Sequence, residues 1–145
     1  MHNDRLIQLD GKRILLVDDE MEVRDTFRMV LEAAHAQVTV AKDGVEALEL
    51  YRSSEFDCLV TDYSMPFMKG DALAIAVRAI NPDQRVVMVS GFADRLRRDG
   101  ALPWFLDALI PKPPARIADL LEAIVWDPAT VRPPSSEPES TQLFP

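Results

Sequence analysis

The chain has 145 residues, 48% of them hydrophobic, and a formal net charge of −8 at pH 7. That length suits one domain with a real core. The acidic balance argues against nonspecific binding to nucleic acid or to an anionic membrane, because both need a basic surface.

No run approaches the roughly 20 apolar residues of a membrane span, and the first residues carry no apolar core of signal-peptide length. The single cysteine, Cys58, cannot form an internal disulfide. These features together lead us to expect a reducing, cytoplasmic setting.

In chain order, residues 1–11 are polar and are expected to form a flexible N-terminus. Arg13 to Val17 is a short run apolar from Ile14 on, the pattern of a strand covered on both faces. Asp18-Asp19-Glu20 follows at once. Val23, Phe27, Val30, Leu31 and Ala34 recur at helical spacing and predict a helix over 21–35. A second strand spans 38–41. Asp43 and Glu46 then have the spacing of a capping box and open a helix carrying Val45, Leu48 and Tyr51.

A third apolar run, 56–61, stops abruptly at Asp62, with Pro66 and Gly70 marking a loop beyond it. Leu73, Ala76, Val77 and Ile80 stripe a third helix that ends at Asn81-Pro82. Residues 85–89 read as a fourth strand ending at Ser90-Gly91, and 93–99 as a short helix closed by Gly100. A fifth strand is expected over 106–110, interrupted by Asp107. Ile117, Leu120, Leu121, Ile124 and Val125 stripe the last helix. From Asp127 to Pro145 the chain turns rich in Pro, Ser, Thr and Glu and reads as a disordered tail or linker. Strict alternation of strand and helix means an α/β fold, a parallel sheet with right-handed crossovers and helices on both faces.

Four strand ends carry polar groups: Asp18 and Asp19, Asp62, Ser90, and Lys112. In a doubly wound sheet these ends share one edge, where ligands bind. Three carboxylates brought together repel unless a cation sits between them, and hard oxygen ligands suit Mg²⁺. Mg²⁺ and the Lys112 ammonium would neutralise an incoming phosphoryl group, Ser90 could donate to it, and Asp62 could act as the nucleophile.

Taken together, Leu15-Leu16-Val17-Asp18-Asp19-Glu20, Asp62 with Met65-Pro66 and Gly70, Ser90-Gly91 and Lys112-Pro113 resemble the CheY-like receiver domain of two-component response regulators, over residues 12–126. The resemblance implies a flavodoxin-like five-stranded sheet in the order 2-1-3-4-5. It implies phosphoryl transfer to Asp62 from a histidine kinase or a histidine phosphotransfer protein. It further implies Mg²⁺ held by Asp19, Asp62 and the Ser64 carbonyl, with Asp18 acting through water. Ser90 would be the switch hydroxyl and Lys112 the phosphate-pairing lysine, with a Lys112–Pro113 bond that is often cis. Such a protein signals to a downstream protein partner and turns over no external substrate.

Leu109 departs from the family pattern, which has Tyr or Phe three positions before the lysine. Pro111 beside Lys112 should stiffen the lysine's approach and removes a backbone donor. The alternative is therefore a constitutive protein-binding module that no longer switches by phosphate. A haloacid-dehalogenase-like enzyme is disfavoured, because it needs a second Asp two positions after the nucleophile, where Ser64 stands.

Arg95, Arg97 and Arg98 form a basic cluster, more often a solvated face. Read as functional, it is one side of a homodimer surface made by the fourth helix, fifth strand and last helix, with Asp107, Asp119 and Glu122 opposite. Trp104 and Phe105 read first as core packing, then as a partner patch. His35 reads as a helix-end residue.

Overall fold

The computed structural model describes residues 7–97 and 101–125. Within them, β1 (Arg13–Val17), β2 (Gln37–Ala41), β3 (Cys58–Asp62), β4 (Arg85–Ser90) and β5 (Ala108–Pro111) form one sheet, alternating with α1 (Met21–Ala33), α2 (Gly44–Ser53), α3 (Gly70–Ile80), α4 (Ala93–Leu96) and α5 (Ile117–Val125). The strand order is β2-β1-β3-β4-β5 and every pairing is parallel. This is the flavodoxin-like receiver fold that the resemblance implies.

The continuous apolar runs are explained by their two coverings. Ile14, Leu16, Cys58, Val60, Val87 and Val89 pack under Phe27 and Leu31 of α1 and Leu120 and Ile124 of α5. Their neighbours Leu15, Val17, Leu59 and Met88 pack under Ala47 of α2 and Leu73 and Val77 of α3. Successive strand side chains point to opposite faces, so a strand sandwiched between helices must be apolar at every position.

Local signals hold in detail. The Asp43 side chain accepts from the Glu46 amide at 2.8 Å, as a cap should. Glu46 Oε1 reaches back to the Lys42 amide at 2.8 Å, one residue before the cap rather than to the cap itself. His35 does end α1: it has a φ of +75°, and the amides of Ala34 and Ala36 both close on the Leu31 carbonyl.

Four expectations need adjusting. Residues 7–12 lie within or beside the stretch expected to be loose, yet Leu9 is fully buried and its amide donates to the Ala34 carbonyl at 2.7 Å. Leu6, Ile7 and Leu9 are too few and too closely spaced to show a helical or strand period, so the packing of Leu9 was not legible. The fourth helix stops at Leu96, short of 99. Gly100, Arg98 and the segment 126–145 lie outside the described residues.

The fifth strand begins at Ala108 because Asp107 replaces a strand contact with its side chain. Its carboxylate accepts from the Val86 amide at 2.8 Å and from Arg78 at 2.7 Å. Arg85 lies 3.8 Å away. Asp107 therefore has its carboxylate engaged within the chain. Finally, Phe105 packs against the core while Trp104 is 70% exposed, so the core-packing reading holds for one ring of the pair.

Besides His35, one described non-glycine residue has a positive φ. Phe67 has a φ of +70° and is 87% exposed. It is the centre of a tight turn in which the Met68 amide donates to the Pro66 carbonyl at 2.7 Å. A bulky L residue in this region costs about 1–2 kcal/mol, and no burial offsets it. Phe67→Gly is expected to raise stability by about 0.5–1 kcal/mol once the greater flexibility of glycine in the unfolded chain is counted. Urea denaturation checks this, and an unchanged or lower midpoint would contradict it.

Candidate phosphoacceptor site

The register of the sheet builds the site. Asp62 pairs with Val89 and Ser90 with Pro111, so β3, β4 and β5 end along one line beside the end of β1. There Asp18, Asp62 and Ser90 are buried while Asp19 is exposed. An open cavity of about 440 Å³ lies between them, lined by Asp19, Glu20, Asp62, Ser64, Ser90 and Lys112 among others. A groove of similar size at the opposite end of the strands is lined by charged groups that include the ion-paired Arg78 and Asp107. There two arginines share one carboxylate, Asp107, whereas here three carboxylates share one lysine.

Lys112 is the hub. Its Nζ stands 2.9 Å from Asp18 Oδ2, 3.3 Å from Asp62 Oδ2 and 3.4 Å from Glu20 Oε1. The side chain is 17% exposed. Burial disfavours its charge, but Asp18 and Asp62 outweigh burial and raise its pKa. Burial also raises the Asp62 pKa. Lys112 opposes that shift, Asp18 adds to it, and the net direction is up. Asp62 is thus a desolvated carboxylate held beside a cation whose charge its partners favour.

Asp62 Oδ1 accepts from the Tyr63 amide at 2.8 Å. The Ser90 hydroxyl accepts from the Phe92 amide at 3.0 Å, which leaves its proton free to donate. Pro111 costs the site less than expected. Lys112, one residue on, supplies the amide that donates to the Ser90 carbonyl at 3.0 Å, so Ser90 and Lys112 are joined through the main chain. The Lys112–Pro113 bond is cis.

Leu109 is 3% exposed and packs on the α2–α3 side of the sheet. Its carbonyl accepts from Arg97 Nη2 at 3.0 Å. Arg95 lies over the Phe92 ring at 5.6 Å. Both described arginines of the basic cluster therefore have intramolecular contacts.

The donor set fits a small hard cation. Carboxylate oxygens of Asp18, Asp19 and Asp62 lie within 4.8 Å of one another. All are oxygen ligands, as Mg²⁺ requires. The two Asp18 oxygens are already engaged, Oδ1 by the Glu20 amide at 2.9 Å and Oδ2 by Lys112. Asp62 is engaged in the same way, Oδ1 by the Tyr63 amide at 2.8 Å and Oδ2 by Lys112 at 3.3 Å, so Asp19 alone of the three has no partner for its carboxylate among the described residues.

Two neighbours were not singled out from sequence. Glu20 shares Lys112, and Arg24 Nη1 donates to the Asp18 carbonyl at 2.7 Å. Arg24 had left a signal, since a cation early in a helix opposes the helix dipole.

A family model for the response regulator receiver domain matches residues 14–125. The chain is 35% identical over 114 residues to the response regulator receiver protein CpdR of Brucella abortus, covering 78% of this chain and 93% of that one. It is also 35% identical over 116 residues to a response regulator receiver protein of Anaeromyxobacter sp., covering 75% of this chain but only 47% of that protein. The chain thus spans about half the length of some of the curated relatives it matches.

Among solved structures, the response regulator TrrA of Thermotoga maritima, in complex with Mg²⁺ and BeF, superposes with a TM-score of 0.71 at 26% identity, covering 78% of this chain and 96% of that one. A CheY-like receiver domain protein of Methanospirillum hungatei superposes with a TM-score of 0.68 at 29% identity, covering 79% and 91%. No described helix is long and apolar enough to cross a membrane. With its fold, its strand-end chemistry and this match over nearly all the described residues, the chain belongs to the response regulator receiver domain family.

Proposed function

We propose that this receiver takes a phosphoryl group onto Asp62 from the phosphohistidine of a histidine kinase or histidine phosphotransfer protein in the cytoplasm, and signals by protein contact. The observation that carries the reading is Lys112 Nζ, held between Asp18 at 2.9 Å and Asp62 at 3.3 Å with Ser90 on the same cavity wall.

An Asp62 carboxylate oxygen attacks phosphorus, the bond from phosphorus to the donor imidazole nitrogen breaks, and the imidazole leaves carrying the electron pair. Lys112 faces the incoming phosphoryl oxygens and offsets their charge. The Ser90 hydroxyl donates a hydrogen bond to one of them. Asp19, Asp62 and the Ser64 carbonyl would hold Mg²⁺, with Asp18 behind them. When bound, the ion supplies the positive charge that lets carboxylate and phosphoryl group approach. Water later hydrolyses the acyl phosphate, so the chain catalyses only its own modification and recovery.

With Leu109 in place of an aromatic side chain, the path from Ser90 to a partner runs through other residues. The first step from Ser90 is its bond to the Phe92 amide, at the start of α4. The face formed by α4, β5 and α5 is the proposed homodimer surface. Direct binding to nucleic acid or membrane is not part of the reading, given the acidic charge.

Beryllofluoride with Mg²⁺, a mimic of a carboxylate-bound phosphoryl group, tests the site without a donor. The expected result is a raised melting temperature for wild type and none for Asp62→Asn. Equal shifts in the two proteins would overturn the assignment of Asp62.

A further inference from the structure

We infer that Arg24 is a positioning residue for the acidic loop: its guanidinium fixes the peptide plane that directs the Asp19 carboxylate into the cavity. The inference rests on the Mg²⁺ site proposed above and concerns a residue outside the ligand set.

Asp18 and Asp19 are held differently. Every polar group of Asp18 has a partner. Its amide donates to the Ala41 carbonyl at 3.2 Å, its carboxylate oxygens take the Glu20 amide and Lys112, and its carbonyl takes Arg24 Nη1 at 2.7 Å. Asp19 is different. It lines the cavity and its carboxylate has no partner among the described residues. The direction of its side chain therefore follows from its backbone, and the plane of the peptide joining Asp18 to Asp19 is set at the Asp18 carbonyl. Arg24 is the group that holds that carbonyl.

The placement of Arg24 is otherwise hard to account for. It lies early in α1, where a cation is disfavoured by the helix dipole. Its own amide makes the first intrahelical bond of α1, to the Glu20 carbonyl at 2.9 Å, so its side chain starts one turn from the acidic loop. Among the described residues its guanidinium forms no ion pair with a carboxylate, although Asp18, Asp19 and Glu20 are all close in sequence. It contacts a carbonyl instead.

Two effects of Arg24 on a divalent cation oppose each other. Its charge repels the ion, so neutralising it would tighten binding. Its hydrogen bond orders the ligand, so removing it would loosen binding. Groups that orient metal ligands from behind typically carry about 10–100-fold in affinity. A guanidinium open to solvent on one side carries a weaker, screened repulsion. Ordering should therefore win.

The test is Mg²⁺ titration of the whole chain with no phosphodonor present, followed by NMR of the backbone amides around the cavity. Urea melts confirm that each variant is folded at the working temperature. Arg24→Ala is expected to weaken Mg²⁺ binding about tenfold or more, and Arg24→Lys to recover most of the loss by keeping a donor. Arg24→Gln, a neutral donor of shorter reach, should fall between them and replaces the alanine variant if that one does not fold. Unchanged or tighter binding in the alanine or glutamine variant, with wild type binding normally, would overturn the inference alone. Failure of wild type to take up Mg²⁺ would overturn the proposed cation site as well, so the two failures are separable.

Discussion

Replacing Lys112 with methionine is expected to slow phosphoryl acceptance by Asp62 by about 10²-fold or more, the usual cost of losing one preorganised charge-stabilising donor. The side chain is of similar length, so the cavity keeps its shape and the change isolates the charge. Stability should fall too. Asp18 is 2% exposed and Asp62 7%, and removing their shared cation leaves two desolvated carboxylates facing each other. A buried pair broken from one side costs about 3–5 kcal/mol. The open cavity reduces that here to about 2 kcal/mol.

The pH dependence has a definite sign. Burial works against the Lys112 charge, yet Asp18 and Asp62 raise its pKa above 10.5. The stabilisation it provides is therefore fully present below that pH and is lost as pH rises through the folded-state value. Cys58 adds a loss of the same sign, since burial holds its thiol up to about 12 against an ordinary 9.0. That loss is common to both proteins. The difference between wild-type and Lys112→Met stability, measured by urea melts from pH 7 upward, should thus be flat to about pH 10 and then shrink. A difference that grows with alkaline pH would contradict the assigned contacts.

The second large effect is expected at Gly70. The first residue of α3 lies so close to the end of β3 that an added Cβ would overlap the Asp62 carbonyl oxygen and lie 3.0 Å from the Tyr63 Cα. Both obstacles are backbone, and the Gly70 amide also donates to the Tyr63 carbonyl at 2.9 Å. Helix propensity alone would make Gly70→Ala stabilising by about 1 kcal/mol. The crowding predicts the opposite sign, a loss of about 3 kcal/mol. It also predicts a phosphoryl acceptance rate reduced at least about tenfold, because the displaced backbone is that of Asp62. Chemical denaturation separates the two expectations by sign, and a more stable alanine variant would show that the loop has room to yield.

These effects also show which parts of the molecule were legible in the sequence. The runs at Ile14–Val17, Cys58–Val60 and Val86–Val89 fixed the central strands, because a strand buried on both faces leaves no polar position to confuse its reading. The strand-end residues Asp18, Asp19, Asp62, Ser90 and Lys112 followed, since a parallel sheet delivers such ends to one edge. What stayed hidden depends on side chains that substitute for backbone. Asp107 looked like an interruption of β5 and is instead a hydrogen-bond acceptor for Val86. Leu9 packs under α1 without any periodic pattern. Arg24 meets Asp18 through a main-chain carbonyl, which sequence spacing does not reveal. The reach of Lys112 to three carboxylates is likewise a product of the assembled edge.

The central claim is that Asp62 accepts the phosphoryl group, and intact mass tests it most directly. The protein is incubated with acetyl phosphate and Mg²⁺ beside an EDTA control and the Asp62→Asn variant. The account predicts one added phosphoryl group on wild type, absent in both controls. An adduct that persists in Asp62→Asn, or no adduct on a folded wild type that also fails to bind beryllofluoride, would contradict it and favour a binding module that does not switch by phosphate.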